Sequence, residues 1–236
     1  MPRRHARRGG DRRRRAPGDR GRRRGGVRSL IRPFGESALL VELGSAERAQ
    51  ALAASIRDNT IGGIVAVVPG AESVLVELDP WEIESERVAH ALEGRLARTA
   101  ELAPIGRLRR IPVIYGGEHG PDLADVAKLC GLTQAEVIER HAATELRVLF
   151  LGFAPGFAYL GGLPDELHVP RLATPRTRTP AGSVAIAGSM SGIYPADLPG
   201  GWRVIGRTSL VLFDPRGDPP AYLAPGDTVR FEPISG

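Results

Sequence analysis

The stretch "HVPRLATPRTRTPAGSVAIAGSMSGIYPADLPGGWRVIGRTSLVLFDP", residues 168–215, decides the fold of the second half of the chain. It consists of short apolar runs separated by proline and glycine, and no helical pattern interrupts them. We predict strands over 182–188, 201–207 and 209–214, and a further strand over 227–234. Many short strands without helices between them are typical of a closed or nearly closed β-barrel.

Just upstream, "FLGFAPGFAYLGGLP", residues 150–164, holds Phe150, Phe153, Phe157 and Tyr159, although only 5% of the chain is aromatic. Its glycines and prolines exclude a helix and favour a stiff loop. Two interpretations fit these rings. They fill the end of the barrel as core, or they line a pocket or a contact between subunits, because aromatic anchors are common on both kinds of surface.

Between residues 105 and 153 the pattern is mixed. "RIPVIYGG", residues 110–117, and "ELRVLFLGF", residues 145–153, predict strands. Pro121 and Gly131 bound one short predicted helix, and the capping box Thr133–Glu136 begins a second that runs to about Ala143. The barrel domain is therefore predicted over 105–236.

The first half of the chain reads as strand-strand-helix, repeated once, which predicts an antiparallel sheet with helices on one face. Ser45 is a candidate cap for the first helix, and Asp79-Pro80 is predicted to open the second, which runs to about Thr99. We interpret Pro104 to Arg110 as a linker. These features predict an α+β domain over residues 27–104.

Net charge is concentrated at the start of the chain. Residues 1–26 hold 12 Arg and 2 Asp, a net charge of +10; the whole chain is +5, so residues 27–236 carry +5 − 10 = −5. We expect this Arg-rich tail to be disordered, and we interpret it as an extension upstream of a native start at Val27. Two other interpretations of the tail stay open: a solvated segment with no role, and a segment that binds nucleic acid or an acidic surface through phosphate contacts. Because the body is acidic, we do not expect nucleic acid as a partner.

Other bulk features point to the cytoplasm. No apolar run reaches the roughly 20 residues that a membrane helix needs, and no apolar segment follows the basic start as in a secretory signal. Cys130 is the only cysteine, so no disulfide forms within the chain, as expected in a reducing compartment. The five histidines are scattered, and we therefore expect no metal site.

No standard catalytic motif is present: the sequence lacks a phosphate loop, a dinucleotide fingerprint and a nucleophile elbow. The block 174–183, "TPRTRTPAGS", offers two guanidiniums, hydroxyls and a glycine that a ligand can approach closely. It reads either as a binding loop or as a solvated loop. The block "SGIYPADLPGGWRVIGR", residues 191–207, adds Tyr194 and Trp202. His141 ends a predicted helix, where it is a charge partner of the helix C-terminus or an acid–base group.

Taken together, "IPVIYGGEHGPDL", "LGFAPGFAYLGGLP", "TPRTRTPAGSVAIAG", "GIYPADLPGGWRVIGRT" and "LAPGDTVRFEPI" resemble the family of 5-oxoprolinase B subunits, also called the KipI or allophanate hydrolase subunit 1 family. The resemblance covers about residue 27 to the end. It implies an α+β fold, with a ferredoxin-like N-terminal domain and a cyclophilin-like β-barrel C-terminal domain. Ala158 departs from the family, in which many members have proline at that point.

The resemblance also implies an activity that depends on partners. With a homologue of the C subunit and with the A subunit, members of the family resemble an ATP-dependent 5-oxoprolinase, which opens 5-oxo-L-proline to L-glutamate. ATP with Mg would act in the complex, and the chain alone is expected to be inactive. We predict that Arg176, His141 and Ser183 are catalytic, and that the substrate-binding residues are Phe153, Pro155, Gly156, Phe157, Tyr159, Arg178, Thr179, Gly182, Tyr194 and Trp202.

We expect the central members of this set to line a single cleft, formed by Phe153, Pro155, Phe157, Arg176, Ser183 and Tyr194. Replacement of Arg176 with Ala is then expected to abolish activity of the complex with little loss of fold.

Two alternatives stay open. Similar domains form the carboxyltransferase part of biotin-dependent urea carboxylase, in which the barrel cleft would hold carboxybiotin and an acceptor. The family name also records inhibition of a sporulation histidine kinase by a docked barrel. A neighbouring gene for the A subunit would favour the 5-oxoprolinase. A neighbouring gene for a biotin carboxylase would favour the carboxyltransferase, and one for a sensor kinase would favour the kinase inhibitor.

Overall fold

A computed structural model describes residues 30–96 and 106–235 of the 236-residue chain. The Arg-rich tail and the boundary at 104/105 therefore lie outside the described residues. The strands are β1 (Leu30–Pro33), β2 (Ala38–Glu42), β3 (Ile64–Pro69), β4 (Ser73–Leu78), β5 (Leu108–Tyr115), β6 (Leu146–Leu151), β7 (Ala158–Gly161), β8 (Arg176–Thr179), β9 (Ser183–Ala187), β10 (Met190–Ile193), β11 (Leu198–Gly200), β12 (Arg203–Arg207) and β13 (Thr228–Pro233). The helices are α1 (Ala46–Asp58), α2 (Ser85–Leu96), α3 (Leu123–Cys130) and α4 (Gln134–Ala143).

The first four strands form an antiparallel sheet in the order β1-β2-β4-β3. Because β2 and β3 both run antiparallel to β4, they are parallel to each other, and α1 connects them. This is a split βαβ unit of the ferredoxin-like kind. Alternation along β2 buries Leu39 and Val41, and Leu43 just after the strand, in the core that they share with the helices.

The two helices of this sheet differ in how well their starts were predicted. Ser45 caps α1 by accepting a hydrogen bond from the Arg48 amide. Helix α2 begins at Ser85 rather than at Pro80, so the Asp79-Pro80 prediction is wrong. The Asp79 carboxylate instead accepts a hydrogen bond from the Trp81 amide at 2.9 Å, which closes a local turn before the helix begins.

Seven strands of the second half form a closed barrel in the order β10-β7-β6-β13-β5-β12-β9. All neighbours are antiparallel except β5 and β13, which run parallel over Leu108–Val113 and Thr228–Pro233. The barrel confirms the α+β fold with a cyclophilin-like second part. The linker prediction is wrong for Leu108–Arg110, because these residues already belong to β5.

The barrel wall is apolar on both faces along β9. Val184 and Ile186 belong to the main core inside the barrel, together with residues of α3 and α4. Ala185 and Ala187 point the opposite way and belong to a separate apolar cluster. Since successive side chains of a strand point to opposite faces, this second cluster lies on the outer side of the barrel wall.

The helices that follow β5 obey their predicted signals. Gly131 ends α3 in the left-handed conformation, and Thr133 and Glu136 form the predicted capping box of α4. The predicted strand over 209–214 is wrong: in this segment only Phe213 makes a β-bridge, with Ala221. None of the helices in the two described ranges is long and apolar enough to cross a membrane.

Candidate functional site

The predicted aromatic residues come together around Phe157. Its ring meets those of Tyr159, Phe153, Tyr194 and Trp202 edge-on, with centroid separations of 5.0, 5.4, 5.4 and 5.7 Å. These are favoured geometries for aromatic pairs. We call these five residues the aromatic cluster; Phe150 stacks on its Tyr159 ring at 4.3 Å.

The aromatic cluster lies on the outer wall of the barrel. Strands β8 and β11 pair with each other as a two-stranded ribbon, and Leu198 of the ribbon packs against the cluster. Close packing leaves no room for a side chain at position 200 of β11, because a Cβ on Gly200 would lie 2.1 Å from the Tyr194 hydroxyl. The rings are therefore held between the barrel wall and the β8–β11 ribbon.

Burial separates the aromatic cluster into core and surface. Phe157, Tyr194 and Trp202 are buried, whereas Phe153 is 59% exposed. Burial is also the main cause that raises the pKa of the Tyr194 hydroxyl. Phe153 has a φ of +68°, a conformation that is uncommon for a residue other than glycine. Of the rings predicted in the loop, Phe157 is therefore core, although on the outer wall rather than in the end of the barrel, and Phe153 is exposed at the surface.

Arg176 connects the ribbon to the barrel. Its Nη2 donates to Oδ1 of the buried Asp122 at 2.6 Å, and Oδ2 of Asp122 accepts a hydrogen bond from the Val204 amide at 2.7 Å. Nη1 of Arg176 is buried with no hydrogen-bond partner among the described residues. Through Nη2 and Asp122, the guanidinium links β8 to β12.

Arg178, two residues further along β8, is in a different environment. It forms an exposed ion pair with Asp197, whose Oδ1 also accepts a hydrogen bond from the Ala181 amide at 2.8 Å. That backbone hydrogen bond, followed by the Arg178 side chain, lowers the pKa of the Asp197 carboxyl. Asp197 thereby fixes the position of the turn that begins at Pro180.

This turn requires a glycine. The Ser183 amide donates to the Pro180 carbonyl, and Gly182 has a φ of +79°, so residues 180–183 form a type II turn. A Cβ on Gly182 would lie 2.1 Å from the Thr208 carbonyl oxygen. Ser183 itself is buried at the start of β9.

The turn forms one wall of a hollow of about 390 Å³ at the end of the barrel. Both apolar and polar residues line the hollow: Ile114, His119, Ala181, Gly182, Pro195, Arg207, Thr208, Ser209, Leu210 and Val211. Arg207 donates from Nε to the Ala181 carbonyl at 3.0 Å. The volume of the hollow is in the range of small-molecule sites. We call it the Arg207 hollow.

His141 lies in the interior of the barrel. Its Nδ1 is 2.8 Å from the Tyr115 hydroxyl, its Nε2 is 3.0 Å from the Ser191 hydroxyl, and its ring stacks on Phe231. Complete burial lowers the pKa of His141 to about 3. The interpretation of His141 as a charge partner of the helix end is therefore wrong, since the ring is neutral at pH 7. Burial also raises the pKa of the Tyr115 hydroxyl.

The predicted site residues do not share one cleft. Phe153, Pro155 and Gly156 line a shallow depression with Phe213, whereas Gly182 lines the Arg207 hollow. Thr179 is fully buried beside Tyr194, and its hydroxyl makes no hydrogen bond of ordinary geometry with the described residues. In the predicted cleft of Phe153, Pro155, Phe157, Arg176, Ser183 and Tyr194, three residues (Phe157, Ser183 and Tyr194) are buried and do not face an open cleft.

Sequence reasoning missed the polar residues that line the Arg207 hollow. His119 and Arg207 lie inside two of the quoted blocks, "IPVIYGGEHGPDL" and "GIYPADLPGGWRVIGRT", so the signal was present. Asp122, the partner of Arg176, is in the first of these blocks as well. The blocks were interpreted for their glycines and rings, and their charged residues were passed over.

ATP with Mg does not fit the Arg207 hollow as this chain builds it. None of its lining residues is a carboxylate, the usual protein ligand of Mg²⁺. In the described part of the chain, no group of three or more His, Cys, Asp or Glu could hold a metal ion. Arg207 offers one permanent positive charge, which suits a single anionic group better than a triphosphate.

This combination of a split βαβ sheet and a closed barrel with an outer ribbon is that of a carboxyltransferase-domain protein. The family described as "Carboxyltransferase domain, subdomain C and D" matches residues 29–223. Two curated relatives, both named as 5-oxoprolinase B subunits, are 45% identical (Escherichia coli O157:H7) and 41% identical (Bacillus subtilis strain 168). The matches cover 85% and 89% of this chain, and 94% of each relative. The chain therefore belongs to the family of 5-oxoprolinase B subunits, as the sequence resemblance predicted.

Solved structures agree with the fold. A conserved uncharacterized protein from Pyrococcus horikoshii, PH0987, is 43% identical, with a TM-score of 0.54 over 87% of this chain and 98% of that chain. TTHA0988 is 33% identical, with a TM-score of 0.74 over 88% of this chain and 41% of that chain. The Kluyveromyces lactis urea carboxylase is 23% identical, with a TM-score of 0.71 over 88% of this chain and 22% of that chain, and shows the fold alone.

Proposed function

We propose that the chain is the B subunit of an ATP-dependent 5-oxoprolinase that opens 5-oxo-L-proline to L-glutamate in the cytoplasm. The observation that carries this proposal is the 41–45% identity to curated 5-oxoprolinase B subunits over nearly the whole length of each. It acts with a homologue of the C subunit and with the A subunit, and it is inactive alone.

The geometry of the Arg207 hollow supports an activity that this chain shares with partner proteins. The Arg207 hollow accommodates a small anionic ligand but lacks the carboxylates that Mg–ATP needs. In TTHA0988 the matching part is joined to a longer remainder, because this chain spans 41% of that protein. We propose that the nucleotide is bound mainly by a partner protein of the complex, and that this chain binds and orients the lactam.

Co-expression with the neighbouring genes for the A and C subunits tests this proposal. The purified complex is assayed for L-glutamate released from 5-oxo-L-proline with and without ATP. We expect ATP-dependent release by the complete complex and none when any one of the three chains is omitted. Release of glutamate by this chain alone, or no release by a complete, stably assembled complex, would contradict it.

The carboxyltransferase alternative keeps one specific support, the fold shared with urea carboxylase from K. lactis. It predicts that the same complex consumes urea in the presence of a carboxylated biotin carrier. That substrate is therefore added to the same assay as a second arm. Turnover of urea without turnover of 5-oxoproline favours the carboxyltransferase. Specific inhibition of a histidine kinase, without turnover of either substrate, favours the inhibitor.

A further inference from the structure

The polar lining of the Arg207 hollow carries positive charge that the described residues leave available. Arg207 uses Nε for the Ala181 carbonyl, and its two terminal amino groups make no hydrogen bond with the described residues. The ring of His119 makes none with them either, although His119 is half-buried in the hollow. The nearby Asp197 carboxylate forms its ion pair with Arg178; of the causes that lower the pKa of Asp197, the hydrogen bond from the Ala181 amide is the first and the charge of Arg207 only the last.

The lining of the hollow is apolar in part. Its apolar residues are Ile114, Pro195, Leu210 and Val211, of which Val211 is 72% exposed. A compact ligand with one carboxylate and a hydrocarbon body matches this mixed lining. The planar guanidinium of Arg207 can pair with both oxygens of a carboxylate, and the apolar residues can cover the methylene groups.

We propose that the Arg207 hollow is the subsite that binds the carboxylate of a small cyclic or α-amino carboxylic acid, with Arg207 as the main anchor and His119 as a second donor. This inference rests on the proposed function for the identity of the acid, 5-oxo-L-proline. Thr208 and Ser209 also line the hollow, and the Thr208 hydroxyl accepts a hydrogen bond from the Leu210 amide at 3.3 Å.

Neighbouring structure holds the anchor in place. The Ala181 carbonyl that accepts from Arg207 belongs to the type II turn, and the Thr208 amide donates to the Gly182 carbonyl at 2.9 Å. The turn, the end of β12 and Asp197 therefore form one hydrogen-bonded unit. Such support limits the motion of the guanidinium before a ligand binds, which reduces the entropic cost of binding.

Calorimetric titration of the assembled complex tests the subsite. The titrants are 5-oxo-L-proline, L-glutamate, inorganic phosphate and 2-pyrrolidinone, which has the lactam ring but no carboxylate. In Arg207→Gln we expect at least about tenfold weaker binding of 5-oxo-L-proline, the usual effect of losing a charged hydrogen-bonded pair, and a smaller loss in His119→Gln. Binding of 2-pyrrolidinone should be weak and unaffected.

Arg216→Gln is the matched control, because it removes the same charge from an exposed loop that does not line the hollow. Thermal unfolding checks that each variant is folded. Equal affinity of wild type and Arg207→Gln for 5-oxo-L-proline overturns the subsite. It is also overturned if Arg207→Gln loses only the binding of phosphate, or if the wild-type complex binds no carboxylate. Arg207-dependent binding of a carboxylate in a complex without 5-oxoproline turnover leaves the subsite standing and overturns the proposed function.

Discussion

Arg176 and Asp122 lie 54 residues apart in the sequence and form a 2.6 Å ion pair that joins the β8–β11 ribbon to the barrel. Asp122 is buried, and its other oxygen accepts from the Val204 amide. The pair thus connects β8 of the ribbon with the start of α3 and, through Asp122, with β12 of the barrel. It also changes what a substitution of Arg176 is expected to do.

From the sequence we expected Arg176→Ala to abolish activity with little loss of fold. The structure predicts a loss of stability as well, about 2 kcal/mol or more, because the Asp122 carboxylate would stay buried without its partner. Arg178→Ala on the same strand is the control. Its exposed pair with Asp197 predicts a much smaller loss of stability. Urea unfolding of the two variants measures the difference, and equal losses would contradict this role of Asp122.

His141 makes stability dependent on pH. Burial lowers its folded-state pKa from 6.5 to about 3, so the unfolded chain binds the proton first as pH falls. Stability is complete above pH 6.5 and declines between pH 6.5 and about 3, by about 1.4 kcal/mol per pH unit from this group. From pH 6.5 to 5 the contribution of His141 is a loss of about 2 kcal/mol.

Denaturant unfolding at both pH values checks this prediction. In His141→Gln the decline from pH 6.5 to 5 should be smaller by that amount. His90→Gln, at an exposed position, should keep the wild-type decline. An unchanged decline in His141→Gln would show that the histidine is not buried in its neutral form.

Gly182 is expected to tolerate no side chain. An added Cβ would lie 2.1 Å from the Thr208 carbonyl oxygen, in a residue with positive φ. We predict that Gly182→Ala costs about 3 kcal/mol or more, because backbone must move. Gly117→Ala, also at positive φ but with no atom within 4 Å of its Cβ, should cost only about 1–2 kcal/mol. Thermal and chemical unfolding measure both, and equal costs would show that the turn moves freely away from Thr208.

Phe153 and Phe157 should respond oppositely to truncation. Phe157→Ala removes a buried ring and is expected to cost about 3–5 kcal/mol. Phe153→Gly removes an exposed ring and relieves a positive φ, so stability should stay the same or rise by up to about 1 kcal/mol. Urea unfolding compares the two variants with the wild type. If Phe153→Gly loses as much stability as Phe157→Ala, the Phe153 ring is part of the core after all.

Helix start and stop signals in the sequence predicted the structure correctly where they depend on contacts between residues a few positions apart. The capping box of Thr133 and Glu136 and the stop at Gly131 are decided within a few residues, and the structure has both. The Asp79 carboxylate does cap the Trp81 amide, but the turn that it begins covers only residues 80–82, and α2 starts at Ser85.

Long-range pairing was beyond the sequence. Residues 209–214 have the composition of a strand. In the closed barrel, however, every strand already has a partner on each edge, so in this segment only Phe213 forms a β-bridge. In the same way, Arg176 and Arg178 look equivalent in "RTRT". Only the fold shows that one meets the buried Asp122 and the other an exposed Asp197.

Only part of the candidate site could be predicted from the sequence, because the site also depends on long-range contacts. The density of rings in a stiff loop drew attention to this region, and the structure packs Phe153 and Phe157 of the loop with Tyr194 and Trp202 from other segments. The Arg207 hollow depends on the end of β12 meeting the turn at Gly182, and nothing local in either segment indicates that meeting.

The position of β13 also determines the order in which the molecule can assemble on the ribosome. This strand lies between β5 and β6, and its parallel partner β5 was translated more than a hundred residues earlier. The N-terminal sheet has all its strands once residue 78 has emerged, whereas the barrel must wait for residues 228–233. Until then β5 and β6 lack a shared neighbour, and this half of the nascent chain is the part most exposed to aggregation and chaperone binding.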